Sequence, residues 1–271
     1  MAFTFGAATG DDITWTETGS PWGQNQRSGL VAGWYYPTAL TAGLALWSFG
    51  TVHRAALSAT SGEIDVFFQR ATTNTQYTTS GLGLAVNQWH FIAILMNNFN
   101  TGVVTTWKVW RSVDTDIPSA VTINVVTAGV GTVTSSVIPT IGNLGSAGTS
   151  AFQGDIGRFD FLVETIASSF VGNTSGAIGT ESERRIFEDV VLPIWGGNSP
   201  TFFKSGTSSN GGITHTIVDL DRNGDYGRSV RNGGTIVTRD RTVAISGATP
   251  SLSRAPIPTI GPVSWPDFVR R

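Results

Sequence analysis

Short runs rich in Val, Ile, Phe, Trp and Thr recur along this chain, cut at close intervals by clusters of Gly, Asn, Asp and Ser. Gly43-Leu44-Ala45-Leu46-Trp47-Ser48-Phe49, Glu63 to Gln69, Trp89 to Met96, Val103 to Val109, Val121 to Val126, Thr132 to Ile138 and Asp155 to Val163 share this texture. β-Branched and aromatic side chains fit a pleated, half-buried surface, and the punctuating residues fit turns. The pattern predicts an antiparallel sandwich. Trp107 and Trp110 stand three apart in one run, so they point to opposite faces of a strand. One is expected in the core and the other as a surface or interface ring.

A single segment reads as helical, Thr180 to Val190. Thr180 is its expected N-cap, with Glu183 three residues on as the capping-box partner. Ile186, Phe187 and Val190 form the apolar stripe, and Pro193 is expected to end the helix. The texture changes after Trp195-Gly196-Gly197. Residues 1–197 read as the sandwich domain, with its short helix near 181–191. Residues 198–271 read as a polar β-hairpin, Ile213 to Val218 with Gly234 to Val243, followed by an extended arm. Five prolines between Ala244 and Arg271 favour that extended form. The arm's apolar anchors are Ile257, Ile260, Val263, Trp265 and Phe268. Deleting 244–271 is expected to weaken attachment to a partner while leaving the sandwich folded.

Charged residues make up 13% of the chain, well below the roughly 25% of an average domain, so Thr, Ser, Asn, Gly and Ala must cover much of the surface. A net charge of −2 argues against nucleic-acid binding, which needs a clustered basic face. The absence of cysteine excludes disulfides and thiolate metal sites. No long unbroken apolar stretch is present, so membrane insertion is not expected. Met1-Ala2-Phe3-Thr4-Phe5-Gly6 has no basic region followed by an apolar run, so no signal peptide is expected.

Two segments carry a family resemblance. One is Asn87-Gln88-Trp89-His90-Phe91-Ile92-Ala93. The other is Ile141-Gly142-Asn143, followed by Phe152-Gln153-Gly154-Asp155-Ile156-Gly157-Arg158-Phe159. They resemble the "W-H-[FV]-[IV]-A" strand and the "I-G…F-x-G-x-I-x-x-[FLV]" stretch of laminin G-like domains, in the concanavalin A-like jelly-roll group. The resemblance implies an all-β, antiparallel jelly-roll β-sandwich, and a protein that binds surfaces and sugars more often than it catalyses.

Ser61-Gly62-Glu63-Ile64-Asp65-Val66-Phe67-Phe68 also resembles the catalytic strand of family 16 glycoside hydrolases. Alternation puts Glu63 and Asp65 on one face. A retaining glycosidase needs a second carboxyl group across the bond as acid/base, and here Phe67 and Phe68 occupy its positions. No enzyme activity is therefore expected, and no catalytic residue is assigned. Asp219, Asp221, Asn223 and Asp225 have the alternating spacing of a calcium loop around Gly224. The EF-hand glutamate is replaced by Val230, and an Asx-rich hairpin turn is the competing reading. Calcium is thus a candidate ligand there, and no other cofactor is expected. Asp114 and Asp116 sit on a loop where a rim cation is a weaker option. His53, His90 and His215 are isolated and lack zinc spacing. Trp22, Trp34, Tyr35, Tyr36 and Trp47 read first as packing and second as a sugar-stacking platform.

A surface-binding fold without an export signal or cysteines fits a structural protein of a tailed-phage virion, assembled in the host cytoplasm. The expected role is capsid decoration, with the major capsid protein or other virion proteins and sister copies, as a trimer, for partners. The alternative is a carbohydrate-binding adhesin or tail module with a cell-surface glycan as partner. A family 16-like relative lacking its acid/base is the third reading.

Overall fold

Phe91 to Met96 is unbroken in apolar residues because the strand it belongs to is covered on both faces. In the computed structural model of the chain, strand β8 (His90–Asn97) sends Ile92, Ile94 and Met96 into one apolar cluster and Phe91, Ala93 and Leu95 into another. The structure describes residues 2–6, 10–15, 26–97, 107–133, 139–145, 150–165, 180–198, 213–218, 227–232, 237–240, 243–251 and 254–258.

The fold is an antiparallel jelly-roll β-sandwich with one short helical segment among the described residues. In chain order its strands are β1 (Ala2–Phe5), β2 (Asp12–Trp15), β3 (Gln26–Pro37), β4 (Ala45–Phe49), β5 (His53–Leu57), β6 (Ile64–Phe68), β7 (Thr75–Ser80) and β8. They continue with β9 (Lys108–Val113), β10 (Ser119–Thr127), β11 (Pro139–Ile141), β12 (Gly154–Thr165), β13 (Ile213–Val218), β14 (Gly227–Asn232), β15 (Val237–Asp240), β16 (Val243–Ser246) and β17 (Thr249–Ser251). The first sheet runs β17–β1–β12–β3–β8–β9–β10. Beyond β1, the same edge of β12 takes β13, which continues to β14 and β15. The second sheet runs β16–β2–β11–β4–β5–β6–β7–β10. β10 closes one end of the sandwich by bonding β9 through Ser119–Val121 and β7 through Thr122–Thr127.

Between the sheets lies a core of Phe3, Phe5, Tyr35, Trp47, Phe49, Phe68, Tyr77, Trp107, Phe152, Phe159 and Phe161 with aliphatic neighbours. A second cluster lies on the outer face of the first sheet, where Leu30, Trp34, Phe91, Leu95, Trp110 and Leu162 pack under the helical segment. Trp107 and Trp110 do face opposite ways. Trp110 is nevertheless buried beneath the helix and is not a surface ring. Trp34, Tyr35 and Trp47 are core residues, and Tyr36 tilts against Trp89 at 5.4 Å; Trp22 lies outside the described residues.

The helical segment comprises α1 (Thr180–Ile186), a π turn (Phe187–Val191) and α2 (Leu192–Trp195). Pro193 does not end it. Proline lacks an N–H and its ring collides with the carbonyl four residues back in a regular α-helix. The wider π turn just before Pro193 makes room for the ring. The apolar stripe therefore extends through Val191, Leu192, Ile194 and Trp195. Trp195 Nε1 donates to Ser112 Oγ on β9 at 3.1 Å.

The C-terminal strands are woven into both sheets. β13 pairs with β14, not with the 234–243 stretch that the sequence suggests. β16 and β17 occupy part of the stretch read as an arm, and they pair with β2 and β1. Ala255 and Ile257 pack on the helix-side cluster of their own domain. Ile260, Val263, Trp265 and Phe268 lie outside the described residues.

The signature glycines have steric causes. Gly154 has φ +137°, and a side chain there would run into the Tyr36 carbonyl. Gly142 has φ +77°, and a Cβ would enter the Phe5 ring. Asn143 is fully buried. Its Oδ1 accepts from Leu144 N–H at 2.7 Å and Ser150 N–H at 3.2 Å, and its Nδ2 donates to the Asp11 carbonyl at 3.3 Å. Asp155 accepts from Thr4 Oγ1 at 2.5 Å and Ser251 Oγ at 3.1 Å, tying β1 and β17 to β12.

Candidate functional site: the polar face of the second sheet

The two outer faces of the sandwich differ in chemistry. The outer face of the first sheet is apolar and helix-covered. On the second sheet, β5, β6 and β7 send Ala55, Leu57, Ile64, Val66, Phe68 and Tyr77 inward, and Ile123 of β10 packs against this core. Alternation sends their neighbours outward. Cross-strand register then sorts the outward residues into rungs. Arg54, Phe67, Gln76 and Thr127 form one rung. Ala56, Asp65, Thr78 and Asn124 form the next, and Ser80 pairs with Thr122. Ser80, Thr122 and Asn124 are exposed, and Arg54, Asp65, Phe67, Gln76 and Thr78 are half-buried.

Three inter-strand steps make this face roughly 14 Å wide. It carries one guanidinium, one aromatic ring, one carboxylate, two amides and several hydroxyls. The Arg54 guanidinium carbon lies 4.7 Å from the centroid of the Phe67 ring. Asp65 Oδ1 accepts from Thr78 Oγ1 at 2.5 Å. This inventory suits a ligand rich in hydroxyl groups, because amides and carboxylates can bond vicinal hydroxyls as donors and acceptors.

Glu63 is buried and committed to a turn. Its carboxylate accepts from Thr79 Oγ1 at 2.6 Å, Gly81 N–H at 2.9 Å and Leu82 N–H at 3.2 Å. The Glu63–Asp65 pair therefore divides between a turn-holding carboxylate and a half-buried one on the polar face. Asp114 is also structural. It has φ +45°, its N–H donates to the Trp89 carbonyl at 2.8 Å, and its Oδ1 accepts from Trp89 N–H at 3.3 Å. Among the described residues no three His, Asp or Glu side chains converge as a metal site. Asp219, Asp221, Asn223 and Asp225 lie outside the described residues.

The histidines divide similarly. His53 stacks on Phe68 with centroids 4.6 Å apart, and its Nδ1 accepts from Gln69 N–H at 3.3 Å. His90 is fully buried, with Nε2 at 3.1 Å from both the Ala85 N and O and with Nδ1 lacking a partner. Burial holds its imidazole below the usual histidine range, and Arg111 adds to this while the Ala85 carbonyl and Asp114 oppose it. A proton therefore binds the unfolded chain more readily than the folded one. Stability should fall as pH drops below about 6.5, by at most about 1.4 kcal/mol per pH unit from this group. His90→Gln should flatten that slope. Denaturant midpoints at pH 7.5 and 5.5 check this, and an unchanged slope in the variant would refute it.

A cleft of about 380 Å³ opens beside the polar face, where β10 crosses between sheets. Trp107, Lys108, Val121, Thr122, Ile123 and Val125 line it. The Lys108 ammonium is paired with Glu183 at 3.0 Å.

Sequence reasoning did not single out Arg54, Phe67 or Gln76 as site residues. Alternation alone places Arg54 opposite in direction to His53. Only the cross-strand register, which a single sequence does not carry, sets Arg54 beside Phe67.

No family model and no curated protein matches the chain. Solved structures do. Mouse laminin α1 chain domains LG4-5 match at 17% identity and a TM-score of 0.40, over 58% of this chain and 40% of that one. A heptameric SAP-like pentraxin from Limulus polyphemus matches at 9% identity and a TM-score of 0.36, over 59% of this chain and 74% of that one. A protein from Bacteroides ovatus, described as carbohydrate binding, matches at 12% identity and a TM-score of 0.45, over 95% of this chain and 61% of that one. The chain thus spans less than half of the laminin chain that it matches.

Proposed function

We propose that the chain is a non-catalytic carbohydrate-binding module whose ligand lies across the outer face of β5, β6, β7 and β10. The observation that carries this reading is the pair of rungs bearing Arg54, Phe67, Gln76, Asp65, Thr78 and Asn124. Their donors, acceptors and ring sit on rigid strands, so binding does not have to order a loop. Glu63 supports binding over hydrolysis, because its turn already engages its carboxylate through three donors. Polysaccharide binding by the full chain, compared with an Asp65→Ala/Gln76→Ala/Asn124→Ala variant of unchanged melting temperature, tests the reading.

A second reading, a virion surface protein assembled from sister copies, is favoured by one observation. β10 carries no charged residue, and Val125, Val126 and Val130 are 50%, 56% and 55% exposed on and just after it. Native sheets blunt exposed apolar edges with charge, and an uncharged edge suits contact with another copy. Sedimentation of the protein should then show concentration-dependent oligomers that Val126→Lys abolishes. A monomer at every concentration would exclude this reading.

A further inference from the structure

We propose that the ligand of the polar face is an acidic glycan whose carboxylate is clamped by Arg54; this inference rests on the glycan-binding reading above. Arg54 and Asp65 stand on adjacent strands, one rung apart on the same face. Opposite charges so placed ordinarily find each other. Here they do not. Asp65 takes its hydrogen bond from Thr78 Oγ1, and the Arg54 guanidinium lies over the Phe67 ring instead. Among the described residues the Arg54 side chain makes no ion pair or hydrogen bond, although the residue is half-buried.

The Phe67 ring holds the guanidinium as a cation over its face, and no hydrogen bond takes up its planar fork of N–H donors among the described residues. Such a fork matches the two oxygens of a carboxylate. The ring removes much of the side chain's freedom before binding, so less ordering is left to the ligand. The neighbouring groups complete a saccharide site. Gln76 follows Phe67 in the same rung, and Asn124 follows Asp65 and Thr78 in the next. A glycan with a uronate carboxylate on Arg54 thus has Asp65 one strand away, Gln76 and Thr78 two strands away and Asn124 three strands away as hydroxyl partners. The sequence gives the same site its selectivity, because Arg54 is the sole cation on these rungs and Asp65 the sole anion. A neutral glycan satisfies the amides and hydroxyls but leaves the fork unfilled.

The test compares a polyuronate with the same polymer after reduction of its carboxylates to alcohols, by calorimetry at physiological salt. The wild-type chain should bind the polyuronate roughly 10- to 100-fold more tightly, the range expected for hydrogen bonds to a charged group. Arg54→Ala should bind both polymers alike, at the wild-type affinity for the reduced one. Arg54→Lys, which keeps the charge and loses the fork, should recover only part of the preference. A wild-type chain that binds both polymers equally, or a preference that persists in Arg54→Ala, overturns the clamp and leaves the glycan face standing. Tighter binding to a sulfated polymer than to the polyuronate overturns the carboxylate assignment. Binding to none of these polymers overturns the clamp, and failure with neutral polysaccharides as well overturns the glycan reading with it.

Discussion

Asp160→Ala should cost the domain about 3–5 kcal/mol, the largest single-residue loss expected here. Asp160 is fully buried on β12, and Arg158 is 6% exposed beside it. The two are joined twice, Nε to Oδ2 at 2.6 Å and Nη2 to Oδ1 at 2.8 Å. The same Nη2 also donates to the Asn198 carbonyl at 3.0 Å, fastening the turn that follows the helical segment. Removing the carboxylate takes from a guanidinium held out of water the group that bonds it twice. Removing both charges is a different matter. An Arg158→Met/Asp160→Leu pair should fall close to wild type, because apolar replacements of similar volume also avoid the desolvation cost of the ions. Urea unfolding of the three variants decides the point. A loss below about 1 kcal/mol in Asp160→Ala would mean that the pair is solvated and does not act as a lock.

Deleting residues 244–271 should unfold or severely destabilise the sandwich, contrary to what the proline-rich sequence suggests. The deletion takes most of β16 from beside β2 and all of β17 from beside β1. It also removes Ala248, which belongs to the inter-sheet core, and Ala255 and Ile257 from the helix-side cluster. Gly157 and Gly197 lie close against Ala255 and Ile257 respectively, so the truncated chain would expose bare backbone at both. A loss of the order of 5 kcal/mol is a large share of the roughly 5–15 kcal/mol that holds a domain. It corresponds to a fall in melting temperature of roughly 10–20 °C. A truncated protein that melts cooperatively at the full-length temperature would show that these strands are dispensable.

These cases mark what the chain's sequence made legible. The jelly roll was readable because its central strands carry strong local signals: the doubly covered run from Trp89 to Met96, and the glycines at 142 and 154 that admit no side chain. The helical segment over 180–195 was readable from its apolar stripe. Its end was not, because the π turn before Pro193 answers a tertiary demand, the continued burial of Leu192, Ile194 and Trp195. The C-terminal strands were missed for a related reason. Val243–Ser246 and Thr249–Ser251 are only four and three residues long, and they gain their order from pairing with strands more than 200 residues away in sequence. The polar face was the least legible part. Glu63 and Asp65 drew notice as neighbours in sequence, yet the face pairs Asp65 with Thr78 and Asn124 and gives Glu63 to a turn.

Binding of the intact chain to a panel of neutral and acidic polysaccharides decides whether the outer face of β5, β6, β7 and β10 is a glycan site, with the Asp65→Ala/Gln76→Ala/Asn124→Ala variant in parallel. The wild-type chain should bind, and the variant should lose at least roughly 10-fold in affinity at an unchanged melting temperature. Binding that the triple variant retains in full, or no binding by the wild-type chain to any polymer, would contradict a glycan site on this face.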